Sequence, residues 1–200
     1  MTRIPWVTMA VAAAAVAAWW MGAPIYDRLA IAQGEVWRLV TGHLTHWSAA
    51  HLRWDVLMFV MLGTFCERER GHRSFAGVLL AAALTVSAFL FFGCPEVVEY
   101  RGLSAIDSAL WCWAAFIIAP RSLSLATLLL AVFAGKLMIE VSTGAALFVP
   151  LAGAVRVLPL VHLLGATVGF CAVATERRIR RDPGKKTQCA YATRCDAAAR

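Results

Sequence analysis

Two residues stand out for what their types and settings could do. Ser104 opens a helix, and His162 sits inside an apolar run. In Gly102-Leu103-Ser104 a loop turns into an apolar segment, which places the Ser104 hydroxyl in a first helical turn. Backbone N–H groups there lack intrahelical partners and the helix dipole favours negative charge, so an oxyanion forming beside the hydroxyl would be stabilised. Gly102 would allow close backbone approach. The same serine also suits an ordinary N-cap. His162 is the one Asp, Glu, His, Lys or Arg in residues 157–175, and an ionisable side chain of this kind within a membrane span is costly enough to mark a functional site. Gly165 and Gly169 follow it at i+3 and i+7 on the same helical face. There a second helix can come close enough for a serine to reach the imidazole. The plainer alternative is a small-residue packing face whose histidine bonds a neighbouring carbonyl.

A third group comprises His43, His46, His51 and Asp55. His51 and Asp55 are four apart and share a helical face, so they could support an oxyanion, hold water or bind a metal. With Ser48, the histidines form a polar rim that could retain water. Three histidines and a carboxylate suit zinc in type, which keeps a metal-binding or transport membrane protein as a rival reading, but no HExxH pattern is present. Asp107, three residues after Ser104, could orient His162 or pair elsewhere.

Elements that could carry these residues follow from hydropathy. The chain is 60% hydrophobic with a mean hydropathy of +0.68, more than a soluble domain carries while still covering its surface with polar groups. A hydrocarbon core of ~30 Å needs about 20 apolar helical residues. Six segments approach that length: 4–26, 49–66, 74–93, 103–119, 122–141 and 157–175. The first follows Arg3 and resembles a signal peptide with a small-residue site at Met21-Gly22-Ala23, but its uncharged length favours a retained span. The second carries His51, Arg53 and Asp55 in its first turns and is the weakest by hydropathy. Lys136 and Glu140 interrupt the fifth near its far end.

The expected architecture is an all-α membrane protein with six transmembrane helices. Residues 1–175 form one membrane domain, and residues 176–200 a polar, poorly ordered basic tail. The net charge of +7 lies largely in that tail rather than on an aromatic-interleaved face, which argues against nucleic acid as a partner. With six spans, thirteen Arg and Lys fall on the side of the termini and five (Arg28, Arg38, Arg53, Arg101 and Arg156) on the other, which predicts cytoplasmic termini. Of the six cysteines, Cys66, Cys112 and Cys171 lie in apolar runs, and no disulfide is assigned.

In order along the chain, Glu35-Val-Trp37-Arg38, the stretch from His46 through His51 to Asp55, Gly102-Leu103-Ser104, and His162 with Gly165 and Gly169 resemble the motifs of the rhomboid family of intramembrane serine proteases. The resemblance implies a six-helix bundle in which Ser104 is the nucleophile and His162 its base. It also implies that His51, Asp55, Gly102 and Leu103 support the active site, with no cofactor and no metal. The oxyanion would be held by the Ser104 N–H and the His51 side chain, with Asp55 either orienting His51 or donating as a protonated acid. The compact form, Tyr100 to Ser104 and the Trp54-Asp55 pair look most like rhombosortases, a bacterial subgroup. That implies a multi-pass protein of the bacterial inner membrane, acting on membrane-anchored proteins that carry C-terminal glycine-rich sorting tails. A catalytically inactive rhomboid-like protein that captures membrane helices is the rival within the family. The chain departs from the broader pattern in three places. Ala105 replaces the second glycine of the serine motif. Asp55 stands where many rhomboids have Asn, and an ionised carboxylate cannot donate to an oxyanion. Ser108 stands where many have a tyrosine.

Overall fold

The computed structural model describes residues 4–144 and 159–181. Helix α1 (Trp6–Met21) is followed by a short strand β1 (Tyr26–Asp27), two short helices, α2 (Arg28–Ala32) and α3 (Arg38–Thr41), and a 3-10 turn (Gly42–Leu44). The long helices α4 (Ala49–Arg70) and α5 (His72–Gly93) come next. A second short strand β2 (Glu99–Tyr100) precedes α6 (Ser104–Ile118), α7 (Leu123–Thr143) and α8 (Pro159–Arg181). The expectation of a purely helical chain is corrected in one detail: β1 and β2 pair antiparallel, Tyr26 opposite Tyr100. This small ladder joins the loop after α1 to the loop before α6.

Among the described residues three helices, α4, α5 and α7, are long and apolar enough to cross a membrane, and α1, α6 and the stretch Pro159–Thr175 are shorter apolar helices. Each matches an expected segment, with shifted ends. Gly22 and Pro24 stop α1 at Met21 rather than at residue 26, because neither readily continues a helix. Helix α8 runs through Arg181, so the helix continues beyond residue 175, where the basic tail was expected to begin. Residues 182–200 of that tail lie outside the described residues.

The outer helices expose large apolar side chains, as a lipid-facing surface requires. On α7, Leu123, Leu128, Met138 and Val141 are all exposed. Helix α6 is the opposite case, burying most of its residues all round, as a central helix does. Leu110 and Trp113 pack in one core with Phe59 and Phe75 of α4 and α5.

The start of α1 has no side-chain cap of its own. Glu67 of α4, fully buried, supplies one by accepting from the N–H groups of Val7 (2.9 Å) and Thr8 (2.8 Å) and from the Thr8 hydroxyl (2.6 Å). Two of the orphan donors of that helix end are thereby satisfied inside the bundle.

Helices α4, α6 and α8 run parallel. Asp55 meets Leu103, and Cys66 meets the Leu110 carbonyl farther down. Against α8, Gly165 faces Ala105 and Gly169 faces Ala109. A Cβ at either glycine would overlap the carbonyl oxygen of the facing alanine, so the two backbones are in direct contact. Any side chain larger than hydrogen would force the helices apart.

This contact sets a stability contrast between two similar changes. Gly165→Ala must displace a backbone carbonyl and is expected to lower stability by about 2 kcal/mol. Gly77→Ala on α5, where a Cβ meets nothing within 4 Å, should be neutral or raise it by about 0.5–1 kcal/mol. Equilibrium unfolding in detergent checks both, and equal effects would contradict the packing described.

Candidate active site

The α6–α8 contact brings together two residues 58 apart in sequence: Ser104 Oγ lies 3.0 Å from His162 Nε2. Ser104 is the first residue of α6, and the first helical hydrogen bond there runs from Asp107 N–H to the Leu103 carbonyl (2.9 Å). The N–H groups of Ser104, Ala105 and Ile106 thus precede the helical ladder and point toward the loop. His162 is buried, 6% exposed. For Nε2 to accept a proton from Ser104, its Nδ1 must carry the hydrogen.

Nδ1 has a partner that sequence reading missed. Glu140 of α7 places Oε2 2.8 Å from it, and Glu140 itself is 1% exposed. Lys136, one turn earlier on α7, donates to the other carboxylate oxygen of Glu140 at 2.7 Å, and its Nζ also lies 3.2 Å from His162 Nδ1. Asp107 does not take this place. It is buried on α6 with no hydrogen-bond partner for Oδ1, and it is Glu140 whose carboxylate meets His162. The signal in the sequence was an acid inside an apolar segment, but its partner is 22 residues away across a connection outside the described residues.

A second polar knot holds the loop that leads into α6. Asp55 Oδ2 accepts from the Leu103 N–H at 2.9 Å, and His46 Nε2 and His51 Nε2 each lie 3.2 Å from the same oxygen. Gly102 packs against this group. A Cβ there would come within 2.9 Å of His51 Cε1, and its φ of +126° is one that L side chains rarely adopt. Ser48 caps α4 by accepting from the His51 N–H at 3.1 Å. Helical spacing lets one turn of α4 fix the approach to Ser104, with Asp55 as the shared acceptor.

Several expected roles change in this arrangement. The Leu103 N–H is spent on Asp55, so it is not an oxyanion donor. His51 turns Nε2 to Asp55 and Nδ1 to the Trp47 N–H (3.5 Å), so both ring nitrogens face the loop rather than Ser104. The expected water-holding rim is instead interior. His43, 1% exposed, directs Nε2 at the Ala83 carbonyl and Ser87 Oγ of α5, both at 3.1 Å, and burial pushes its imidazole down to about 4. His46 is 3% exposed. Because His43 faces α5 and the other two face Asp55, the three histidines do not converge on one point. Among the described residues no group of three or more His, Cys, Asp or Glu is placed to hold a metal ion.

The remaining motif positions have structural partners. Arg38 bonds Glu35 (2.7 Å) and the Ile25 carbonyl (2.9 Å), which ties the loop before α4 to the end of the α1 connection. Ser108 donates back to the Ser104 carbonyl at 2.8 Å. Tyr100, edge-on to the His43 ring at 5.2 Å, donates to the Gly102 carbonyl at 3.3 Å, and burial raises its phenol so that it stays a donor. Ala105, in place of the second glycine, is fully buried, with its carbonyl against Gly165.

As the shared acceptor, Asp55 of α4 ties the loop before α6 in place. Asp55→Leu leaves the Leu103 N–H buried and unpaired and is expected to lower stability by about 2 kcal/mol. Asp55→Asn keeps an acceptor and should lose less than half of that. Unfolding midpoints of the two variants check the order, and a Leu variant as stable as wild type would remove Asp55 from this role.

The rhomboid domain model matches residues 33–179, which takes in every element of the site. The chain is also similar to the rhomboid protease GluP of Bacillus subtilis (strain 168), with 36% identity over 88 residues, covering 37% of this chain. It spans 17% of the length of that relative. With three helices long and apolar enough to cross a bilayer, the chain is an integral membrane protein, and it belongs to the rhomboid family.

Proposed function

We propose that this chain is an intramembrane serine protease in which Ser104 is the nucleophile and His162 the general base. The observation that carries the reading is the 3.0 Å approach of Ser104 Oγ to His162 Nε2 at a helix start whose N–H groups are unused by the ladder. Ser104 attacks a peptide carbonyl, forming the Oγ–C bond while its proton moves to Nε2. The oxyanion forms beside the Ser104 N–H at the positive end of α6. Collapse breaks the C–N bond, the imidazolium protonates the leaving amine, and water hydrolyses the acyl-enzyme by the reverse route.

Depth supports action within the bilayer. Leu103 and Ser104 stand level with Asp55, six residues and roughly 9 Å of helix below the start of α4. Helix α6, at 15 residues, is roughly 22 Å long against a hydrocarbon core of ~30 Å. A central helix shorter than α4, α5 and α7 is what the entry of water and an unwound substrate segment above its N-terminus would require. Six crossings are read from the apolar segments, the Arg and Lys bias puts both termini in the cytoplasm with the site opening to the outer face, and the likeness to rhombosortases makes the membrane a bacterial inner one.

The substrates are membrane-anchored proteins. The likeness of residues 100–104 and of the Trp54-Asp55 pair to rhombosortases narrows them to proteins with a C-terminal glycine-rich, hydrophobic, basic tail. Glycine near the scissile bond lowers the cost of local unwinding.

In proteoliposomes carrying a reporter with such a tail, Ser104→Ala and His162→Ala are each expected to abolish cleavage. The double variant should be no worse than either single one, because nucleophile and base act as a unit. Substantial cleavage by Ser104→Ala would overturn the serine mechanism.

A further inference from the structure

Helix α7 lies at the edge of the bundle and buries three side chains along its length: Ala126, Phe133 and Glu140. They are seven apart and form a single seam against the neighbouring helices. Phe133 continues the apolar part of that seam by clustering with Cys112 and Ala166 of α6 and α8. At the next repeat an acid replaces the expected apolar residue, level with His162. A buried acid in an apolar seam is expensive unless its charge and both oxygens are matched. Here Lys136 takes Oε1 at 2.7 Å and His162 Nδ1 faces Oε2 at 2.8 Å.

The Lys136–Glu140 pair alone would satisfy a structural ion pair within one helix, without the histidine. What the second oxygen does is specific. It faces Nδ1 while Nε2 faces Ser104 Oγ at 3.0 Å, so the three groups lie in one chain of contacts from α7 through α8 to α6. We propose that Glu140 is a positioning residue that makes this site a Ser–His–Glu triad rather than a dyad, with Lys136 holding the carboxylate in place. The inference rests on the serine-protease reading of Ser104 and His162. Glu140 fixes the tautomer with hydrogen on Nδ1, so that Nε2 is free to take the serine proton, and it balances the imidazolium that then forms. The Lys136 charge is matched by the same carboxylate, so the ammonium near Nδ1 does not stand alone against that imidazolium.

The test is steady-state cleavage of a glycine-rich-tail reporter in proteoliposomes. Glu140→Gln keeps size but offers no carboxylate, and kcat is expected to fall at least about 10²-fold with KM changed less than about threefold. Glu140→Asp should recover about tenfold of that loss, because the carboxylate returns one methylene short of the ring. In the His162→Ala background, Glu140→Gln should have no further effect, since a group that acts through the imidazole has nothing left to position. Should Glu140→Gln leave Lys136 unpaired and fail to fold, Lys136→Met/Glu140→Gln removes both charges and is expected to show the same kcat loss. Wild-type kcat in Glu140→Gln or in that double variant, with Ser104→Ala inactive, overturns the triad alone. Cleavage by Ser104→Ala overturns the underlying reading as well.

Discussion

The contact on which the rest depends is the close approach of α6 and α8, where Gly165 and Gly169 lie against the carbonyls of Ala105 and Ala109. Apolar side chains give little preference for helix association when the solvent is itself apolar. Backbone contact and polar bonds must then supply the specificity. The two glycines set the separation, one turn sets the register, and His162, three residues before Gly165, arrives beside Ser104, one residue before Ala105. Their side-chain geometry follows from that separation, and a shift of about 1 Å would be enough to spoil it.

Around this contact three buried acids are each matched by several partners, while Asp107 Oδ1 and the Trp113 indole N–H stay buried without one. Asp55 gathers the Leu103 N–H and two imidazoles, Glu67 caps α1, and Glu140 gathers Lys136 and His162. Each acid comes from a different part of the chain than at least one of its partners, so each joins segments that hydropathy treats as separate. Asp55 links α4 to the loop before α6. Glu140 links α7 to α8. The price of burying these carboxylates is offset by bonds that also fix the position of functional side chains.

How far the sequence could be read depends on the range of each interaction. Ser104 at a helix start, His162 in an apolar run and the i+3 and i+7 glycines are local patterns, and local patterns survive without coordinates. So did the central part of every apolar helix. Glu140 did not, because an i,i+4 Lys and Glu pair reads as complete within one helix, and nothing local shows that a second oxygen remains for a histidine 22 residues on. His43 and His46 were read as a wet rim because hydropathy cannot distinguish a polar residue facing water from one bonded in the core. Asp55 was correctly linked with His51 by spacing, while its bond to Leu103 depends on a tertiary approach that no spacing encodes. Helix ends moved for a further reason: α8 continues into charged residues that a hydropathy window excludes.

The central claim is that Ser104 is an activated nucleophile rather than an N-cap, and its reactivity measures this without any knowledge of the substrate. The protein in detergent is treated with a serine-directed fluorophosphonate and the adduct is located by peptide mass mapping. A single adduct is expected on Ser104 and is lost in His162→Ala, because the base is needed to activate the hydroxyl. An adduct on another residue, or one on Ser104 that forms equally well without His162, would contradict it.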